Sequence, residues 1–264
     1  MSQDDNQVAS ALVAVGTKAL TVRSAALVKR GLALAESLKQ DDATDHYGCG
    51  VALGNKGDWD GAIAEFREAL RSNPNHEMAH FSLGVALGRK GDWDGAITEY
   101  REALRLNPND DATHNNLGVT LALKGDWDGA ITEYREALRL NPDDDAAHGS
   151  LGVALGRKGD WDEAITEYRE ALRLNPNDDA THNNLGIALG HKGDTDEEIT
   201  EYREALRLNP NDYDDVAHYC LGLAFEQKGD RRRALEEHRA ARMLDPENPV
   251  YKWNYERLLQ EVNQ

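Results

Sequence analysis

Residues His76-Glu77-Met78-Ala79-His80 match the pattern HExxH, in which two histidines one helical turn apart bind zinc and the glutamate acts as a general base. Taken alone, the pattern would indicate a zinc-dependent hydrolase. His76, however, stands where other parts of the chain place Asp or Asn at a helix start, and no third zinc ligand follows downstream. We therefore keep the hydrolase as the weakest alternative and predict no catalytic residue, no metal and no cofactor.

His80 also belongs to a series of histidines that recur at one phase of a repeat, at His46, His80, His114, His148, His182 and His218. Packed helices lie about 8–10 Å apart, whereas each ligand of a zinc ion lies about 2 Å from it. Consecutive members of the series are therefore too far apart to share one ion. We expect these histidines to pack between neighbouring helices.

The element that positions them is a repeat of 34 residues. The segment KGDWDGAITEYREALRLNP occurs at 90–108 and again, unchanged, at 124–142, and a third copy at 158–176 differs only at Glu163. The copies begin at Ala43, Glu77, Asp111, Asp145, Asp179 and Asp215. The last spacing is two residues longer, and we assign the extra residues to Tyr213 and Asp214, which predicts a weak or hinged junction before the sixth copy. A recurring set of side chains is typical of a scaffold built from contacts between neighbours.

Each copy has the apolar rhythm of two amphipathic helices. In the third copy, Gly125 is placed to end the first helix in a left-handed conformation and Asp126 to cap the second. Pro142 predicts that the second helix ends near Leu140, because proline disfavours the α conformation in the residue before it.

Residues 43–248 closely resemble the tetratricopeptide repeat family. In the third copy the resemblance is carried by Leu117, Gly118, Gly125, Asp126, Ala130, Tyr134, Ala137 and Pro142. It implies an all-α, right-handed superhelical solenoid of six antiparallel helix pairs. Residues 1–42 are then expected to form an N-terminal capping helix or a degenerate repeat, and residues 249–264 a C-terminal capping helix, since the ends of a solenoid otherwise expose its core.

The resemblance also implies that a ligand lies in a concave groove lined by the first helix of each pair. On that face we predict a peptide-binding groove formed by Tyr47, Phe81, Arg89, Asn115, Asn116, Val119, Val153, Arg157, Asn183, Asn184, Ile187 and Tyr219. Leu123, Ser150, His191, Cys220, Leu223 and Gln227 map to the same face. The lysines that chaperone-binding members use to hold a C-terminal carboxylate are missing from it.

Asn116 and Asn184 resemble the asparagine ladder with which the repeats of O-GlcNAc transferase grip a peptide backbone. A side-chain amide can donate and accept together, which suits an extended backbone. The alternative is that these asparagines merely fill a solvated surface.

Trp59, Trp93, Trp127 and Trp161 begin the second helices of the first four copies. We expect each ring to seal the turn and pack on the adjacent unit, with an aromatic ladder that contacts a partner on the outer face as the alternative.

In the fifth copy Glu198 takes the place of a small Ala, such as Ala164, so its carboxylate must reach solvent or destabilise the helix pair.

The formal net charge of −18, from 48 acidic and 30 basic residues, argues against binding to nucleic acid or to an anionic membrane. No apolar run is long enough to span a bilayer, and the acidic start MSQDDNQ does not resemble a secretory signal. Cys49 and Cys220 stand five copies apart, too far for an internal disulfide, which favours a cytoplasmic location. We therefore expect the chain to be a non-catalytic scaffold or adaptor for a protein or extended peptide. The alternative is a self-assembling homo-oligomer in which residues 1–42 of one chain dock on another.

Overall fold

The computed structural model describes residues 41–209 and 215–263. Close contacts divide the chain into one compact unit that ends at Leu106 and another that begins at Asn107. In the first unit, residues 41–55 form helix α1, and three further helices follow it: α2 (Trp59–Ser72), α3 (Glu77–Arg89) and α4 (Trp93–Leu106).

The second unit has nine helices among its described residues. They are α5 (Asp111–Leu123), α6 (Trp127–Leu140), α7 (Asp145–Lys158), α8 (Trp161–Leu174), α9 (Asp179–Lys192), α10 (Thr195–Leu208), α11 (Asp215–Gln227), α12 (Arg231–Leu244) and α13 (Pro249–Val262). Consecutive helices pack on each other, as the short turns between them require, and the first helices of neighbouring repeats, α5 with α7, α7 with α9 and α9 with α11, also touch.

The turns are formed as the sequence predicts. Gly125 has a φ of +81°, the left-handed conformation that favours glycine. The Asp126 carboxylate accepts a hydrogen bond of 3.0 Å from the Gly129 backbone N–H, which caps α6. Helix α6 ends at Leu140, two residues before Pro142.

The core of each helix pair depends on one close approach. Leu117, Ala130, Tyr134 and Ala137 are buried. A Cβ atom on Gly118 would lie 2.7 Å from Cε1 of Tyr134, so only glycine lets the two helices come this close. The same approach recurs between Gly152 and Tyr168, at 2.6 Å.

The described residues are all helix and turn, which confirms the predicted all-α class. A helix is present at 249–262, where the sequence predicts the C-terminal cap. Most of the predicted N-terminal cap, 1–42, and the inserted Tyr213 and Asp214 lie outside the described residues. Every helix in the described part of the chain is too short or too polar to cross a bilayer.

Candidate binding groove

Three cavities follow one another along the first helices of the second unit. Cavity A has a volume of about 280 Å³ and is lined by Val119, Ala122, Leu123, Trp127, Tyr134, Ser150, Val153 and Ala154. Cavity B has a volume of about 340 Å³ and is lined by Val153, Gly156, Arg157, Trp161, Tyr168, Asn184, Ile187 and His191. Cavity C has a volume of about 310 Å³ and is lined by Ile187, Gly190, His191, Glu198, Tyr202, Cys220, Leu223 and Gln227.

Neighbouring cavities share lining residues and therefore form one groove. Val153 lines both A and B, and Ile187 and His191 line both B and C. Val119, Leu123 and Ile187 are exposed apolar side chains that face this groove, with 59% of Leu123 accessible. The groove thus offers apolar contact area at each repeat together with a few polar groups.

Five of the predicted groove residues line these cavities: Val119, Val153, Arg157, Asn184 and Ile187. Asn116 does not, and its amide Nδ2 instead donates a hydrogen bond of 2.8 Å to the carbonyl oxygen of Ala112, one turn earlier in α5. Of the two asparagines of the proposed ladder, only Asn184 faces a cavity.

Three further predicted groove residues, Tyr219, Asn115 and Asn183, lie outside these cavities. The ring of Tyr219 lies 5.0 Å from that of Tyr251 and 5.7 Å from that of His238. Asn115 and Asn183, at the same repeat position, are half-buried and line none of the three cavities.

The first unit holds the remaining predicted residues. The Tyr47 ring lies 4.9 Å from that of His76, and the Phe81 ring 6.0 Å from that of Tyr100. The guanidinium of Arg89 lies 6.0 Å from the ring centre of Trp59.

The tryptophans that begin the second helices belong to the groove. Trp127 lines cavity A, and the guanidinium of Arg157, from the next repeat, lies 5.9 Å from its ring centre. Trp161 lines cavity B and stacks on His191 of the next repeat, at 4.0 Å with 8° between the rings. The rings therefore pack on the adjacent repeat, as expected, and the alternative of a ladder on the outer face is wrong for these two tryptophans. The place of Trp161 could have been found from the small Gly156, five residues earlier at the end of α7, which leaves room for the ring.

The buried tyrosines beneath the groove are held neutral. Burial raises the pKa of Tyr134 to about 12, although a hydrogen bond with Ser150 works against the shift. Burial also raises the pKa of Tyr168, with the charge of Arg157 opposing it. Neither phenol is prepared to act as an acid or base at neutral pH.

The two histidines of the HExxH segment have structural roles. His76 caps α3, where its Nδ1 accepts a hydrogen bond of 3.3 Å from the Ala79 backbone N–H. His80 lies 2.6 Å from Oε2 of Glu99 through Nδ1 and 3.1 Å from the carbonyl oxygen of Pro74 through Nε2. Across the described ranges, no three His, Cys, Asp or Glu side chains converge so that they could hold a metal ion.

The same histidine contacts return in the second unit. His114, His148, His182 and His218 each lie 2.6–2.7 Å from a glutamate on the second helix of their own repeat. The sequence predicts that these histidines pack between helices, and the structure adds that they are bound there by polar contacts.

Comparison with known proteins supports the repeat assignment. The family model described as tetratricopeptide repeat matches four overlapping ranges, 49–111, 84–145, 115–179 and 150–213. No curated protein sequence matches the chain.

Several solved structures have the same fold. A crystal structure of MamA is 25% identical and superimposes with a TM-score of 0.61, covering 64% of this chain and 93% of that one. YrrB, described as a TPR protein with an unusual peptide-binding site, is 22% identical with a TM-score of 0.63, covering 70% of this chain and 95% of that one. PilF of Pseudomonas aeruginosa is 19% identical with a TM-score of 0.69, covering 84% of this chain and 99% of that one.

Proposed function

Because the chain belongs to the tetratricopeptide repeat family, we propose that it is a non-catalytic scaffold that binds an extended peptide segment of a partner protein along cavities A, B and C. The observation that carries the proposal is the continuity of the three cavities, one at each of three successive repeat junctions. Such a row suits a linear ligand better than a compact one.

The spacing of the cavities fits an extended backbone. Neighbouring first helices lie about 8–10 Å apart, and a polyproline II chain rises about 3.1 Å per residue with three residues per turn. Every third side chain of such a peptide would therefore enter a cavity. Asn184 lines cavity B and can both donate to and accept from the peptide backbone.

The cavities differ in chemistry, so a bound peptide would lie in one direction along the groove. Cavity A is mostly apolar, with Val119, Leu123 and Trp127. Cavity B adds Arg157, Asn184 and His191, which are donors for carbonyl or carboxylate oxygens. We infer that an apolar side chain occupies A and that a polar group or the peptide backbone is held at B.

A matched pair of variants tests this function. Ile187→Asp places a charge in the apolar wall shared by B and C, whereas Val216→Asp makes the same change at an exposed site that lines none of the three cavities. Octapeptides selected from a random library on the wild-type protein should bind the Ile187 variant at least about tenfold more weakly, a loss of about 1.4 kcal/mol. They should bind the Val216 variant as they bind the wild type. Equal affinity for both variants would refute binding in the groove.

The cytoplasmic location and the homo-oligomer alternative stay predictions. Neither Cys49 nor Cys220 forms a disulfide with a described residue. Most of the segment 1–42 that the oligomer hypothesis invokes lies outside the described residues.

A further inference from the structure

Cavity C contains a buried carboxylate, that of Glu198, which forms no ion pair with a described residue. Glu198, in the first turn of α10, is only 5% exposed, and its Oε2 has no hydrogen-bond partner among the described residues. A buried charge without a partner costs free energy, so such groups are usually paired or have a pKa shifted toward the neutral form.

Glu198 occupies space that a tryptophan fills elsewhere in the same unit. In the fourth repeat, Trp161 comes within 3.1 Å of the place where a Cβ on Gly156 would lie. In the fifth repeat the tryptophan is replaced by Thr195, and Oε1 of Glu198 lies 2.7 Å from the place where a Cβ on Gly190 would lie. The carboxylate therefore stands at the position of the indole, on the wall of the groove.

The cations near this part of the fold are engaged elsewhere. Arg203 and Arg233 lie over the ring of Phe225, at 5.2 and 5.5 Å from its centre. Lys228 pairs with Asp196, and Arg169 with Glu197 at 2.6 Å. None of these charges forms an ion pair with Glu198, and the other polar or titratable side chains that line the cavity are His191, Tyr202, Cys220 and Gln227.

We propose that cavity C is a subsite for a basic side chain, lysine or arginine, of the bound segment, whose N–H groups pair with the Glu198 carboxylate. This inference rests on the proposed peptide-binding function. A cation in the cavity would satisfy Oε2 and would form a charge-assisted hydrogen bond with a buried carboxylate, where such bonds are strong. Cavities A and C would then select an apolar and a basic side chain on the same peptide.

Ionisation of the carboxyl is consistent with this role. Burial raises the pKa of Glu198 to about 7, so the group is close to half ionised at neutral pH in the absence of a partner. A bound ammonium or guanidinium group favours the ionised form and lowers that pKa again.

The test uses the full-length protein and its Glu198→Ala variant, which restores the residue found at this position in the other five repeats. Octapeptides selected on the wild type should carry Lys or Arg at one position. Replacing that residue with norleucine should weaken binding to the wild type by about tenfold or more and leave binding to the variant unchanged. Selected peptides without a basic residue, or the same preference for Lys on both proteins, would overturn the subsite.

A second measurement separates this inference from the function on which it rests. Butylammonium ion is titrated into the wild type while the side-chain carboxyl carbons are followed by NMR. A saturable shift at Glu198 that is absent at Glu197 supports the subsite even if no peptide is selected. A shift at Glu198 no larger than that at Glu197 overturns it.

Discussion

The second to fifth repeats hold their histidine between a glutamate and a backbone carbonyl, and His80 shows the arrangement. Its Nδ1 faces the Glu99 carboxylate at 2.6 Å and its Nε2 faces the Pro74 carbonyl at 3.1 Å. Neither an ionised carboxylate nor a carbonyl can donate a hydrogen bond, so both ring nitrogens carry hydrogen when both bonds form. The contact therefore favours the imidazolium form and links the turn before α3 to helix α4.

Replacing His80 with glutamine tests the charge on the ring. Burial works to lower the pKa of His80, but the hydrogen bonds to Glu99 and Pro74 outweigh it and raise the pKa above 6.5. The stabilisation is then fully present below pH 6.5 and is lost as pH rises through the higher folded-state pKa. We expect His80→Gln to lower the free energy of unfolding by about 1 kcal/mol at pH 6 and by less at pH 8.5, measured by urea denaturation. An equal loss at both pH values would contradict the charged form.

Glu198→Ala should stabilise the protein, and the gain should depend on pH. The pKa of this carboxyl is raised by burial from 4.5 to about 7, so its cost is fully present above pH 7 and disappears as pH falls below 4.5. We expect the variant to be more stable than the wild type by about 3 kcal/mol at pH 8 and by almost nothing at pH 4.5. Urea denaturation of both proteins at the two pH values measures this. A gain in stability of the same size at pH 4.5 would show that it comes from packing and not from removal of the charge.

At the scale of the helix pair, stability depends on where a glycine faces a ring. Gly152 of α7 is buried against Tyr168 of α8, and an added Cβ would lie 2.6 Å from the ring. Gly149 is in the same helix, but an added Cβ there would only touch Oγ1 of Thr181, at 3.5 Å. The two glycines have the same helix propensity and differ only in what they face.

Substituting alanine at each glycine separates the effect of close packing on stability from that of helix propensity. Gly152→Ala should destabilise the protein by about 1–3 kcal/mol, because Tyr168 is packed too tightly to move away. Gly149→Ala should be neutral or stabilising by up to about 1 kcal/mol, because alanine is the better helix former. Thermal unfolding followed by circular dichroism distinguishes them. If the two variants melt at the same temperature, the contact between Gly152 and Tyr168 does not determine the stability of the helix pair.

At the scale of the whole molecule, the chain combines a net charge of −18 with a groove that carries few charges. Many of its surface charges pair within the chain, as Lys158 does with Asp128 and Lys192 with Asp162 of the preceding repeat. Exposed pairs of this kind contribute little to stability. The remaining negative charge favours solubility and opposes association between copies.

Light scattering across a range of concentrations tests the self-assembly alternative. A scaffold whose groove is reserved for a partner should keep a mass near 29.2 kDa as concentration rises. An assembly that uses residues 1–42 should instead grow with concentration, and it should return to the single-chain mass when those residues are removed. A mass that grows with concentration in the intact chain would favour self-assembly over the adaptor function.

The repeat, the helix boundaries and the family could all be predicted from the amino-acid sequence. These follow from local rules: the left-handed Gly125, the capping Asp126 and the helix end before Pro142 each depend on residues a few positions apart. The sequence also placed Val119, Val153, Arg157, Asn184 and Ile187 on the face where the cavities lie.

Packing between repeats determines which side chains on that face are open to a ligand, and this could not be predicted from the sequence. Asn116 faces its own helix backbone, Tyr219 packs against Tyr251, and Trp161 turns into the groove to stack on His191. The fifth repeat has Thr195 in place of Trp161 and Glu198 in place of Ala164. The effect of these two changes is visible only in the structure, where the Glu198 carboxylate lies at the position that the indole occupies in the fourth repeat. Helical periodicity tells on which face a residue lies, but its exposure depends on what the neighbouring repeat puts against it.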